Sequence, residues 1–247
     1  MTNIFILFIL FIVYSFVGWT IEVISKLYQK HHFINRGFLI GPICPIYGVG
    51  SIAMLLLLNK YQDNILLLFT MSVVICSILE YSTSYVLEKI FNTRWWDYSM
   101  DKFNINGRIC LGTMIPFGLL GVALVMFVNP FVLNIVNNFE DGTIKIISII
   151  LMIIFVVDFI LSFSIISKLK DTITNIEKDA TEEISLKVRK VFYDKGGLYR
   201  RLIEAFPTMI SQKERLLYLK DKINDELKKY NKISKYNIIK AKFKDKK

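Results

Sequence analysis

Glu22, Glu80 and Asp158 each interrupt a long apolar run, in GWTIEV, SILEYS and FVVDFI. An ionisable side chain in hydrocarbon costs about 2.5–3.5 kcal/mol on insertion scales, so each of the three needs a reason. Carboxylates at such a depth can bind a cation or exchange protons, and Arg36 is placed to pair with Glu22 or Glu80. The competing reading is structural, with paired carboxylates that hold helices in register. A second concentration of polar groups lies in RWWDYSMDKFNINGRICLG (94–112). There Asp97, Tyr98, Asn104, Asn106 and Arg108 could hold a phosphate or supply acid–base groups.

The elements that must position these residues are membrane helices. The chain has 247 residues, 53% of them hydrophobic, which is the composition of a multi-span protein with a polar appendage. A hydrocarbon core about 30 Å thick needs about 20 helical residues. Five segments qualify, at about 4–25, 43–59, 64–88, 111–129 and 144–167, giving an all-α polytopic bundle over residues 1–167. The first lacks a basic leader and a small-residue cleavage site, so it reads as a span rather than a removed signal.

Charge sets the expected orientation. The loops at 26–42 and 89–110 hold seven Lys and Arg residues, whereas the connections at 60–63 and 130–143 hold only Lys60. Basic residues beside spans stay in the cytoplasm, which puts the amino terminus outside and both basic loops inside. The formal net charge of +10 arises after Ser167, where 22 bases face 12 acids.

At 1.5 Å per residue, Glu80 lies about 24 Å along its span and Asp158 about 21 Å along its own, which together with Glu22 puts three acids near one inner level. Ser72, Cys76, Glu80, Ser84 and Glu88 recur every four residues and form one polar stripe; Ser15, Gly18, Trp19, Glu22 and Lys26 form another. Such faces belong inside the bundle. The stretch NRGFLIGPICPIYGVG (35–50) carries four glycines and two prolines. These deny the backbone regular hydrogen bonds, and unpaired backbone is excluded from lipid. This segment is therefore expected to dip or fold at the inner surface against protein or a watery cavity. In the second loop, Trp95 and Trp96 fit the aromatic belt and Asn106-Gly107 reads as a tight turn, so the segment is expected to cap the site.

Several chemistries leave no trace. Cys44, Cys76 and Cys110 form no CxxC, His31 and His32 are adjacent rather than at ligand spacing, and no metal site or cofactor is expected. HExxH, Gly-x-Ser-x-Gly and GxxxxGK[ST] are all absent, so an enzyme is the weaker expectation and no ATPase module is fused here.

The tail, 168–247, is basic and helical in pattern. Apolar residues at spacings of three and four run through 167–193, Leu198 to Phe206 makes a short helix stopped by Pro207, and Ser211 with Glu214 opens a third helix as a capping box. It is expected to lie on the anionic inner leaflet or to dock a cytoplasmic partner; with no recognised reader motif, nucleic acid is not expected.

The strings GWTIEV, NRGFLIGPICPIYG, LEYSTSYVLEKIF and RWWDYS with FNINGRICL resemble the bacterial family labelled putative ABC-transporter type IV, CmpB, which extends to vertebrate multi-pass proteins. The resemblance covers about residues 5–130 and, more weakly, LIEAFP at 202–207. It implies that Glu22, Asn35, Arg36, Gly37, Gly41, Pro42, Pro45, Tyr47, Gly48, Glu80, Glu88, Trp96, Asp97, Tyr98, Asn104, Asn106 and Gly107 are the matching positions. Where the family often has Trp-Gly, this chain has Phe117-Gly118. The expectation is a permease-like transporter subunit in the lipid bilayer of the cell membrane, with a separate ATPase chain and pairing into a homodimer. The alternatives are a scaffold or regulator that recruits partners through the tail, and an enzyme acting on lipid head groups.

Overall fold

The computed structural model describes residues 3–179, 197–206 and 210–211, and the fold is almost entirely helical. The helices in order are α1 (Ile4–Lys30), α2 (Pro45–Leu58), α3 (Ile65–Phe91), α4 (Leu111–Ala123), α5 (Asn129–Val136), α6 (Asp141–Asp179) and α7 (Gly197–Ala205). Among the described residues, four helical stretches are long and apolar enough to cross a membrane: α1, α3, the Leu111–Val136 stretch of α4 and α5, and Asp141–Lys168 of α6.

The segment expected as a fifth full helix is different. α2 has 14 residues, about 21 Å, too short to cross alone. Its start explains why. The Cys44 amide donates to the Ser15 carbonyl at 3.0 Å, near the middle of α1, so α2 begins at half depth. The non-helical residues 35–44 make up the remaining depth. Pro42 and Pro45 cannot donate to a helical ladder, and this keeps the segment out of regular helix.

α2 packs on α1 and α4 packs on α3 by the same small-residue device. A β-carbon at Gly48 would fall 2.2 Å from the Ser15 hydroxyl, and one at Gly121 would fall 2.5 Å from that of Ser72. The two hairpins, α1–α2 and α3–α4, meet where the rings of Tyr47 and Phe117 lie 5.9 Å apart.

Between α4 and α5, Leu124–Val128 winds as a π turn. Pro130 supplies the cause, because a proline in unbroken α-helix clashes with the carbonyl four residues back, and the wider turn relieves it. Beyond the turn, buried Asn129 accepts the Tyr14 hydroxyl at 2.9 Å.

Apolar clusters close both ends. Ile9, Val136 and Ile144 pack at one, and Phe91, Trp95, Ile166 and Leu202 at the other. The second includes α7, so the tail helix folds back on the membrane domain. Two short antiparallel pairs accompany it: β1 (Thr93–Arg94) with β4 (Ile210–Ser211), and β2 (Asn104–Ile105) with β3 (Ile109–Cys110). Asn106 and Gly107, at φ +52° and +65°, form the tight turn that the sequence indicates. α6 runs unbroken past Ser167 to Asp179. The rest of the expected amphipathic helix, and the capped helix after Ser211, lie outside the described residues.

Candidate functional site

The first half of the site is built on α1. Arg36 Nε donates to Glu22 Oε2 at 3.2 Å, one of the two partners the sequence leaves open, and the Tyr47 hydroxyl donates to Glu22 Oε1 at 2.7 Å. Tyr47 can reach because it packs directly against Gly18, where a β-carbon would collide with the base of its ring. Glu22 is thus shared between a cation and a phenol.

The second half is built on α3. Glu80 is 7% exposed, and its partners are hydroxyls: Thr113, at the start of α4, lies 3.2 Å from Oε2, and Tyr98 donates from the second loop. Burial, and then the charges of Glu80 and Glu22, push the Tyr98 phenol above its ordinary value, so it stays a donor. Both carboxylates thus contribute to the field at Tyr98. Thr113 escapes a search for ionisable residues; its only sequence signal is a hydroxyl in the first turn of α4 after the second loop.

Asp158 does something else. Its Oδ1 accepts the Ile40 amide at 3.0 Å and the Ser162 hydroxyl at 3.0 Å, and its Oδ2 accepts the Gly41 amide at 2.9 Å. Among the described residues no hydrogen bond or ion pair joins it to Glu22 or Glu80. Asn35 accepts from Trp19 Nε1 at 2.7 Å and donates to the Ile40 carbonyl at 2.8 Å. Arg201 of α7 serves the remaining carbonyls, donating to Leu39 and Ile40 through one terminal nitrogen and to Gly37 and Phe38 through the other. Burial lowers the Arg201 pKa and the nearby Asp158 charge opposes that shift. Asn35, Asp158 and Arg201 together satisfy the irregular backbone, which is the condition for its surviving at membrane depth.

The second loop is internally knit. Glu88 takes Arg94 Nε and Arg108 NH2, each at 2.9 Å, and Arg94 reaches the Asn106 carbonyl at 2.7 Å and Asp97 at 3.6 Å. Arg108 also donates to Ser84 and lies over the rings of Tyr81 and Tyr85. Asp97 accepts from the Ser99 amide and hydroxyl, Asn104 accepts the Gly107 amide, and Asn106 donates to the Tyr81 hydroxyl. Glu88, Asp97, Asn104, Asn106 and Arg108 therefore shape the cap, while Tyr98 is the loop residue that reaches Glu80. Trp96 hydrogen-bonds the Arg108 carbonyl at 3.0 Å, but Trp95 is 1% exposed, set between Phe38, Phe91 and Phe206 rather than in an interfacial belt.

Chemically, the Glu22–Glu80 centre offers two carboxylates and two phenols, an oxygen-rich lining suited to a cation or a proton. Among the described residues no group of three His, Cys, Asp or Glu is assembled to hold a metal ion.

Neither a curated protein nor a solved structure matches the chain. Its sequence does match a described family, Putative ABC-transporter type IV (CmpB), over residues 9–163. That match takes in Glu22, Arg36, Tyr47, Glu80, Tyr98, Thr113 and Asp158 but stops short of Arg201, and the chain, a multi-pass membrane protein, belongs to this family.

Proposed function

We propose that the protein is the permease-like membrane subunit of a transporter, with an ion or proton site at Glu22 and Glu80 near the cytoplasmic face. The observation that carries this reading is the state of Glu80. It is buried among hydroxyls, and among the described residues no Lys or Arg forms an ion pair with it, whereas Glu88, two turns along the same helix, holds two arginines. A carboxylate that serves only to join helices resembles Glu88. One left with hydroxyl partners at depth needs a mobile proton or cation for neutrality.

The half-helix α2 and the non-helical segment before it support the same reading, because broken backbone at depth is a common way to build a transporter site. An outside amino terminus and a cytoplasmic tail in the cell membrane follow from the basic loops. The family supports a separate ATPase chain as the source of energy, and a second copy of the chain would supply the width of a conduit.

The test is flux. Purified protein in sealed vesicles should dissipate a proton or monovalent-cation gradient faster than empty vesicles, and Glu80→Gln should reduce that rate at least tenfold. Equal rates for the wild type and Glu80→Gln would overturn the assignment.

A further inference from the structure

The non-helical segment is held by charged groups from two different compartments of the fold. Asp158 belongs to a membrane helix and takes the amides of Ile40 and Gly41. Arg201 belongs to the tail and takes the carbonyls of residues 37–40. The stretch that Arg201 holds begins at Gly37, at φ +108°, and the preceding Arg36 bridges to Glu22. The tail touches that bridge as well, because the Phe206 ring lies 5.4 Å from the Arg36 guanidinium.

These contacts are coupled by necessity. If α7 leaves, the carbonyls of Gly37, Phe38 and Leu39 lose the Arg201 donor at membrane depth, where an unsatisfied backbone group costs several kcal/mol, while that of Ile40 keeps Asn35. Only water can replace the guanidinium, so undocking and wetting are one event. A starting point exists: a cavity of about 10 Å³, room for one water, lies against Ser162, Ile166, Leu202 and Arg201, whose Nε has no protein partner.

We infer that α7 is a latch: docked, it keeps residues 37–41 dry and Arg36 on Glu22, and undocked, it opens the Glu22–Glu80 centre to water from the tail side. This regulatory role rests on reading Glu22 and Glu80 as the site. Nothing in it requires knowing the solute.

Cys44 reports the state directly. Its thiol is buried against Gly37 and lies 4.0 Å from the Arg36 carbonyl. In full-length protein carrying Cys76→Ser and Cys110→Ser, the rate of Cys44 alkylation by a small maleimide is measured in vesicles. Arg201→Ala should raise it at least tenfold and Arg201→Lys by less; Phe206→Ala, which leaves the guanidinium in place, should also raise it and decides the matter if Arg201→Ala does not fold. A parallel chain keeping only Cys76, on α3, should show no change with the same substitutions. The latch is overturned if Cys44 labels no faster in these variants than without them, or if Cys76 accelerates in step, which would mean general loosening. The readout is independent of flux, so a silent flux assay beside accelerated Cys44 labelling would remove the transport reading and leave the latch standing.

Discussion

Asp158 grips Gly41 by its backbone: Oδ2 accepts the glycine amide at 2.9 Å, and a β-carbon on residue 41 would stand 2.7 Å from that same oxygen. The carboxylate thus fixes both the path of the segment and the residue type beneath it. Hydrogen bonds to a charged group contribute about 1.5–3 kcal/mol each. Asp158→Asn, which replaces one accepting oxygen with a donor facing a donor, should therefore cost about 2 kcal/mol, and Gly41→Ala should lower thermal stability in detergent as well. An unchanged melting temperature for Asp158→Asn would show that the carboxylate is not holding the segment.

Glu88 and Glu80 should respond oppositely. Removing one member of a buried charge network leaves its partners uncompensated, at about 3–5 kcal/mol. Glu88→Gln removes the carboxylate that Arg94 and Arg108 share and should sharply lower the melting temperature and the yield of folded protein. Glu80→Gln strands no cation and should melt near the wild type while losing flux. Thermal unfolding of the two variants side by side separates the structural acid from the working one.

Tyr47 offers a finer probe. Tyr47→Phe keeps the ring on Gly18 and deletes only the hydroxyl that donates to Glu22. Stability should hold, while the cation or proton concentration for half-maximal flux should shift about tenfold, the equivalent of 1.4 kcal/mol. Loss of folded protein in this variant would make the hydroxyl structural.

The hairpins should separate under small additions. Overpacking a close contact costs about 1–3 kcal/mol, and the Gly48 β-position is occupied by Ser15 and Phe11 of α1. Gly48→Val should destabilise the protein and speed proteolysis, and Gly121→Val should do the same against Ser72. Gly142, with nothing near its β-position, is the control, and Gly142→Ala should be neutral.

What could be read from the sequence follows a physical division. Apolar runs, the Asn106-Gly107 turn and the pairing of Arg36 with a nearby carboxylate depend on residue type and short-range spacing, and all three appear in the structure, which chooses Glu22 over Glu80 for Arg36. The glycines and prolines before Tyr47 mark broken backbone, yet they do not say that the break reaches the middle of α1, which is a matter of where Cys44 finds the Ser15 carbonyl. Asp158 reads as a third acid of the centre because depth along a helix is computable, whereas the backbone amides it meets belong to Ile40 and Gly41, over a hundred positions away. Arg201 was hidden for the same reason: its partners are carbonyls, which every residue has. The burial of Trp95 depends on Leu202 and Phe206 returning from the tail, and no local pattern announces that.

The π turn at Leu124–Val128 gives one membrane crossing two separate phases. Each helical residue advances the side chains by about 100°, so a single residue of extra winding turns everything after it to a new bearing. Before the turn, Gly118 and Gly121 look toward α3; after it, Asn129 and Val136 look toward Tyr14 and Ile9 on α1. One strand of chain thereby stitches both hairpins together. Excising a single residue there would unpick the second seam and leave the first intact.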